Sequence, residues 1–178
     1  MSYYATSEDL EQELEAFLTA FLGSGDGAQA AEAARALGDS ATLTLHLLDP
    51  DAVVSIDFLA RTVTPGPVEG ADVEIEMEAD ALHDLLLDRL DVVQISQLYE
   101  TDRVQFAGGT TQLAALVVVA GPLQPHYAAS LERRGRQDLL DTPAPPSPIV
   151  WGDPSEAISP RKLIGQRRPW QRPKRTAA

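Results

Sequence analysis

Leu10, Leu14, Phe17, Leu18, Phe21 and Leu22 recur at intervals of three and four, the period of a helix with one apolar stripe, and the stripe ends at Gly23. Thr6 followed three residues later by Asp9 resembles a capping box and predicts where that helix starts, with acidic residues at the positive end of its dipole. The linker Gly23-Ser24-Gly25-Asp26-Gly27 leads into an alanine-rich helix over 28–37. The period then changes. Residues 41–48 alternate, with Leu43, Leu45 and Leu47 on one face and Thr42, Thr44 and His46 on the other. Asp49-Pro50-Asp51 is turn chemistry, and a second strand over 52–63 completes an antiparallel hairpin. Residues 71–78 alternate most regularly, with Val73, Ile75 and Met77 inward and Asp72, Glu74, Glu76 and Glu78 outward.

Asp80 reads as the N-cap of a helix carrying Leu82, Leu85, Leu86 and Leu90, and Val92, Val93, Ile95, Leu98 and Tyr99 predict another after Asp91. Val104 and Phe106 mark a short strand. Gly108-Gly109 then turns the chain into a helix over 110–120 that is apolar nearly all round, and Gly121-Pro122 stops it. Leu123, Tyr127 and Leu131 predict a last helix before Gly135. Strands near the start with helices clustered later argue for an α+β fold. From Leu139 onward the composition shifts: Pro143, Pro145, Pro146 and Pro148 form a spacer, and Arg161 to Arg175 is basic and proline-broken. The expected organisation is a domain over 1–138 and a spacer with a basic, disordered tail over 139–178.

Charge sharpens this division. The net charge of −13 combines two opposite parts: residues 1–138 hold 7 basic and 24 acidic side chains, a net −17, while residues 139–178 hold 7 basic and 3 acidic, a net +4. So acidic a body repels polyanions, and nucleic acid is not an expected partner of it. The chain has no cysteine, which excludes disulfides, thiolate metal sites and cysteine nucleophiles. Its longest apolar run, Leu113–Ala120, is far short of a membrane span, and the acidic N-terminus is unlike a signal peptide. A soluble, cytoplasmic protein is expected.

Reactive constellations are scarce. His46, His83 and His126 have no metal-ligand spacing and read as one strand-face and two helix-surface residues. Asp72, Glu74, Glu76 and Glu78 invite an acid–base reading, but alternate strand residues stand about 6.6–6.8 Å apart, and a solvated sheet face accounts for them better. The 23–27 linker follows a helix and lacks the lysine of a phosphate loop. Gly108-Gly109 reads as a turn needing positive φ rather than an anion site. No serine has a nucleophile-elbow context. Catalytic, metal and cofactor sites are therefore all read as none. The large apolar surface of the helices over 82–99 and 110–120 must either pack solidly or enclose a cavity for an apolar ligand.

The segment from Val68 to Leu131 resembles the sterol carrier protein type 2 family. The residues that carry the resemblance are Gly70-Ala71-Asp72-Val73-Glu74-Ile75-Glu76-Met77, the helical stretch through Leu90, Arg103-Val104-Gln105-Phe106-Ala107-Gly108-Gly109, and Thr111 to Ala120. The hairpin and the N-terminal helices fall where that family has its own. Two departures stand out: Gly108-Gly109 where the family often has glycine then Asp or Asn, and Asp88-Arg89 where it often has Gly-Lys. The resemblance implies a mixed, largely antiparallel sheet of about five strands with helices over one face. It also implies an apolar tunnel for a fatty acyl chain, a sterol or a related lipid. The lining would come from Val73, Ile75, Met77, Leu82, Leu86, Ile95, Leu98, Tyr99, Phe106, Leu113, Leu116 and Val117.

The tail offers Arg167, Arg168, Trp170 and Arg172, basic groups around a tryptophan that suit docking to a protein partner. The expected function is non-enzymatic binding of an apolar ligand, with the tail for docking. The alternative is a solid-cored adaptor or cargo protein that docks through the same tail, and a weaker third is an enzyme using the strand carboxylates.

Overall fold

The computed structural model describes residues 2–35, 41–101, 103–108 and 122–145. The helix expected at 110–120 and the basic tail lie outside the described residues. A compact unit spans Met1–Pro148, so the boundary expected after 138 falls within packed structure. Leu139 is only 1% exposed and belongs to the core.

The first helix, α1 (Ser7–Gly23), starts where the sequence placed it: the Thr6 side chain accepts from the Asp9 amide at 3.1 Å. Its inward stripe is Leu10, Glu13, Leu14, Phe17, Leu18, Phe21 and Leu22. Ser24 separates it from α2 (Gly25–Arg35), which begins inside the glycine linker rather than after it. The Ser24 hydroxyl donates to Phe21 O at 2.6 Å and accepts from the Gly27 amide at 3.1 Å, closing one helix and opening the next. Arg61 donates from Nε to Leu22 O at 2.6 Å, so a cation also covers the negative end of α1.

The sheet comprises β1 (Thr42–Leu48), β2 (Ala52–Asp57), β3 (Thr62–Pro65), β4 (Val73–Glu78) and β5 (Val104–Gly108), in the order β3-β2-β1-β4-β5. β1 and β4 run parallel and the other neighbours antiparallel, so the sheet is mixed and largely antiparallel. The single strand expected over 52–63 is two strands. Asp57 Oδ1 accepts from the Ala60 amide at 2.8 Å and Arg61 takes φ 57, which folds 58–61 into a turn despite their apolar character. Phe58 is buried within that turn.

Among the described residues, four helices follow β4 and flank β5: α3 (Ala79–Leu86), α4 (Val92–Glu100), α5 (Leu123–Arg134) and α6 (Gln137–Leu140). Asp91 caps α4 reciprocally with Gln94. Asp80 is not the N-cap of α3. That helix begins directly after β4 at Ala79, with no side-chain cap, and Asp80 Oδ1 instead accepts from Ser2 Oγ and the Tyr3 amide. Among the described residues no helix is long and apolar enough to cross a membrane.

Candidate functional site

Register fixes which side chains share a face, and one face of this sheet is apolar across all five strands. Val63, Ile56, Leu43, Val73 and Gly108 form one row; Pro65, Val54, Leu45, Ile75 and Phe106 the next; Ala52, Leu47, Met77 and Val104 a third. The opposite face is mostly polar, where Thr44 and Ser55 share a 2.9 Å hydrogen bond and the Ser55 hydroxyl donates to Gly66 O. His46 and Glu74 face each other there at 3.8 Å. The outward carboxylates are half-buried rather than freely solvated: Asp72 accepts from the Thr42 amide and hydroxyl, and Glu78 pairs with Arg103.

Helix α1 packs on β2 and β3 and closes that end of the apolar face. Toward β5 the apolar face reaches solvent. Ile75 is half-buried and Phe106 is 39% exposed. Helix α4, packed along β5, turns Gln94 and Leu98 inward, one turn apart. Its Ile95 and Tyr99, also one turn apart, are 43% and 57% exposed. The rings of Tyr99 and Phe106 lie 5.7 Å apart at 31°. Ile95, Tyr99 and Phe106 thus form an exposed apolar corner at this edge of the sheet.

Two features hold this corner in shape. Gly108 ends β5 at φ 131, where an added Cβ would meet Asp72 O at 2.3 Å, so only glycine lets β5 run this close to β4. Arg103 anchors the start of the strand: its amide donates to Leu98 O at 2.9 Å and its Nε to Glu78 Oε1 at 2.8 Å. That hydrogen bond holds the Glu78 carboxyl below the usual carboxylate range.

Of the residues expected to line a tunnel, Val73, Met77, Leu82, Leu86 and Leu98 lie together in the closed core, with Ile75 packed against it. Ile95, Tyr99 and Phe106 form the exposed corner. Leu113, Leu116 and Val117 lie outside the described residues, as do Arg167, Arg168, Trp170 and Arg172. A groove of about 220 Å³ sits at the other end of the sheet, lined by Glu8, Glu11, Gln12, Glu15, Val54, Val63 and Pro65. Three glutamates make it a poor seat for hydrocarbon. Among the described residues no group of three metal-ligating side chains occurs.

A second cluster was not legible from the sequence. His83, expected on a helix surface, is fully buried. Its Nδ1 lies 2.8 Å from the Tyr127 hydroxyl, which lies 2.6 Å from the Tyr4 hydroxyl; its Nε2 lies 3.1 Å from Leu139 O. Burial pushes its pKa down to about 4, against the weaker upward pull of the Leu139 carbonyl. Burial likewise raises both tyrosines and, despite nearby Arg89, the Asp84 carboxyl. The sequence pointed the other way: Asp80, His83 and Asp84 fall at helical spacing and read as an outer polar face, yet His83 and Asp84 are buried.

No family model matches this sequence, and neither does any curated protein. Among solved structures, the chain is similar to sterol carrier protein 2 from Yarrowia lipolytica in its apo form, at 14% identity and a TM-score of 0.47 over 66% of this chain and 91% of that one. It is also similar to sterol carrier protein domain 2 of Helicoverpa armigera, at 13% identity and a TM-score of 0.48 over 66% and 87%. A third is the UbiJ-SCP2 ubiquinone synthesis protein, at 18% identity and a TM-score of 0.45 over 62% and 91%. All three are sterol-carrier-type domains. The resemblance read from residues 68–131 is thus the one these structures also return.

Proposed function

We propose that the protein is a non-enzymatic binder of an apolar ligand, a fatty acyl chain, sterol or related lipid, held where β4 and β5 meet α4. One observation carries this reading. The apolar face of the sheet continues past its covered half into Ile75 and Phe106, and α4 adds the exposed Ile95 and Tyr99, the Tyr99 ring lying 5.7 Å from that of Phe106. Binding there needs only burial, worth about 0.8 kcal/mol for each methylene removed from water, so a long chain can be held without a charged contact. The residues proposed to meet the ligand are Ile75, Ile95, Tyr99 and Phe106. The basic tail, with Arg167, Arg168, Trp170 and Arg172, is proposed to dock a protein partner, on its sequence alone.

The test is uptake of diphenylhexatriene, a fluorescent apolar probe, by the full chain. Saturable uptake that falls at least about tenfold in affinity in Phe106→Asp, a charge placed in the apolar seat, is the expected result. A chain that takes up no probe, or whose uptake is unchanged in Phe106→Asp and Tyr99→Asp, is not a binder at this site.

A further inference from the structure

We infer that the ligand of this corner is electrically neutral, such as an ester, an alcohol or a polyisoprenoid, and not a fatty carboxylate or a phosphorylated lipid. This rests on the binding reading above and concerns the ligand's polar end.

The charges around the corner decide it. Arg103 stands at the junction of α4 and β5, and it is already committed: Nε and Nη2 both reach the Glu78 carboxylate. A bidentate pair of this kind has no net charge to offer an arriving anion. From Val92 to Gly121 the sequence contains only three charged residues, Glu100, Asp102 and Arg103, and no lysine occurs before Lys162. Four further arginines are engaged elsewhere. Arg61 covers the end of α1; Arg89 lies 3.7 Å from Asp84 and donates to Leu140 O; Arg134 and Arg136 face Glu13.

The fixed dipoles point the same way. Tyr99 lies in the last turn of α4, where the helix presents its negative end, and Glu100 adds a carboxylate beside it. Across the thickness of the sheet lie Glu74 and Glu76, and the whole of residues 1–138 carries a net −17. A carboxylate brought to this corner would give up water, meet no uncommitted cation on α4, β4 or β5, and enter a negative field. A hydroxyl or an ester would meet none of these penalties, because the phenol of Tyr99 can donate to it or accept from it.

The experiment displaces bound diphenylhexatriene from the full chain at pH 8 with palmitic acid and, in parallel, with methyl palmitate. These differ by one charge and share one chain. The ester is expected to displace the probe at a concentration at least about tenfold lower than the acid, a factor that corresponds to 1.4 kcal/mol. Equal displacement, or stronger displacement by the acid, overturns the inference and leaves the binding site standing. If no probe binds at all, the underlying reading fails first. In Glu78→Gln, which releases the Arg103 guanidinium, the gap between acid and ester should narrow several-fold; an unchanged gap would overturn the role given to the Glu78–Arg103 pair.

Discussion

The Tyr127 hydroxyl donates to Nδ1 of His83 across 2.8 Å. The direction follows from the other side of the ring, where Nε2 faces the carbonyl of Leu139 at 3.1 Å. A carbonyl only accepts, so Nε2 carries the proton and Nδ1 receives. Tyr4 completes the line by donating to Tyr127 at 2.6 Å. The N-terminal segment, α3, α5 and α6 are thereby tied together by one neutral imidazole.

Protonating that imidazole removes the acceptor that Tyr127 needs. Because the folded-state pKa is lowered to about 4, below the 6.5 of the unfolded chain, the contribution is complete above pH 6.5 and is lost as pH falls toward 4. The full linkage is roughly 3 kcal/mol. Urea unfolding at pH 7 and pH 4.5 should show a loss of stability that is markedly smaller in His83→Gln. Parallel losses in the two proteins would refute the assignment.

Glu13 is fully buried on α1, and its carboxylate is met by Arg136 Nη1 at 3.1 Å and Arg134 Nε at 3.2 Å. Arg136 also binds Asp9 at 2.8 Å. Arg136→Ala strands most of this buried charge, and a cost of about 3 kcal/mol is expected in chemical denaturation. Glu13→Gln, which removes the charge and keeps the shape, should cost clearly less.

Gly27 lies where α2 turns against α1, and a Cβ there would meet Phe21 O at 2.3 Å and the Leu22 Cα at 2.6 Å. Both are backbone atoms, so the helices must separate to admit a methyl group. Gly27→Ala should lower stability by about 1–3 kcal/mol, even though alanine is the better helix former. A neutral or stabilising result in thermal melts would mean the two helices are not held this closely.

Tyr99→Ser and Phe106→Ser remove exposed side chains and should change stability by no more than about 0.5 kcal/mol, while probe affinity falls. Phe17→Ala, in the closed core, should cost about 3–5 kcal/mol. If the serine variants are as damaging as Phe17→Ala, the exposed corner is part of the core and not a binding surface.

The elements that could be read in advance are those with one dry face and one wet face. The stripe from Leu10 to Leu22 and the alternation of β1 and β4 each have a local cause, and both stand as expected. The division of 52–63 into β2 and β3 was hidden because Phe58 and Leu59 continue the apolar pattern, whereas the turn depends on the Asp57 side chain meeting the Ala60 amide. In the candidate site, the sequence marked Phe106 and Tyr99 as apolar but not their meeting, which requires α4 to lie against β5.

By itself, then, the sequence determined the α+β class, most of the strand faces and the acidic character of the body, because period and composition act through neighbouring residues. Tertiary structure decided that His83 is buried and neutral, that Asp80 binds the N-terminal segment instead of capping α3, and that Arg103 is spent on Glu78. Each of these joins residues at least 25 positions apart. Only the packed chain brings such groups within hydrogen-bond reach and removes the water that would otherwise satisfy them.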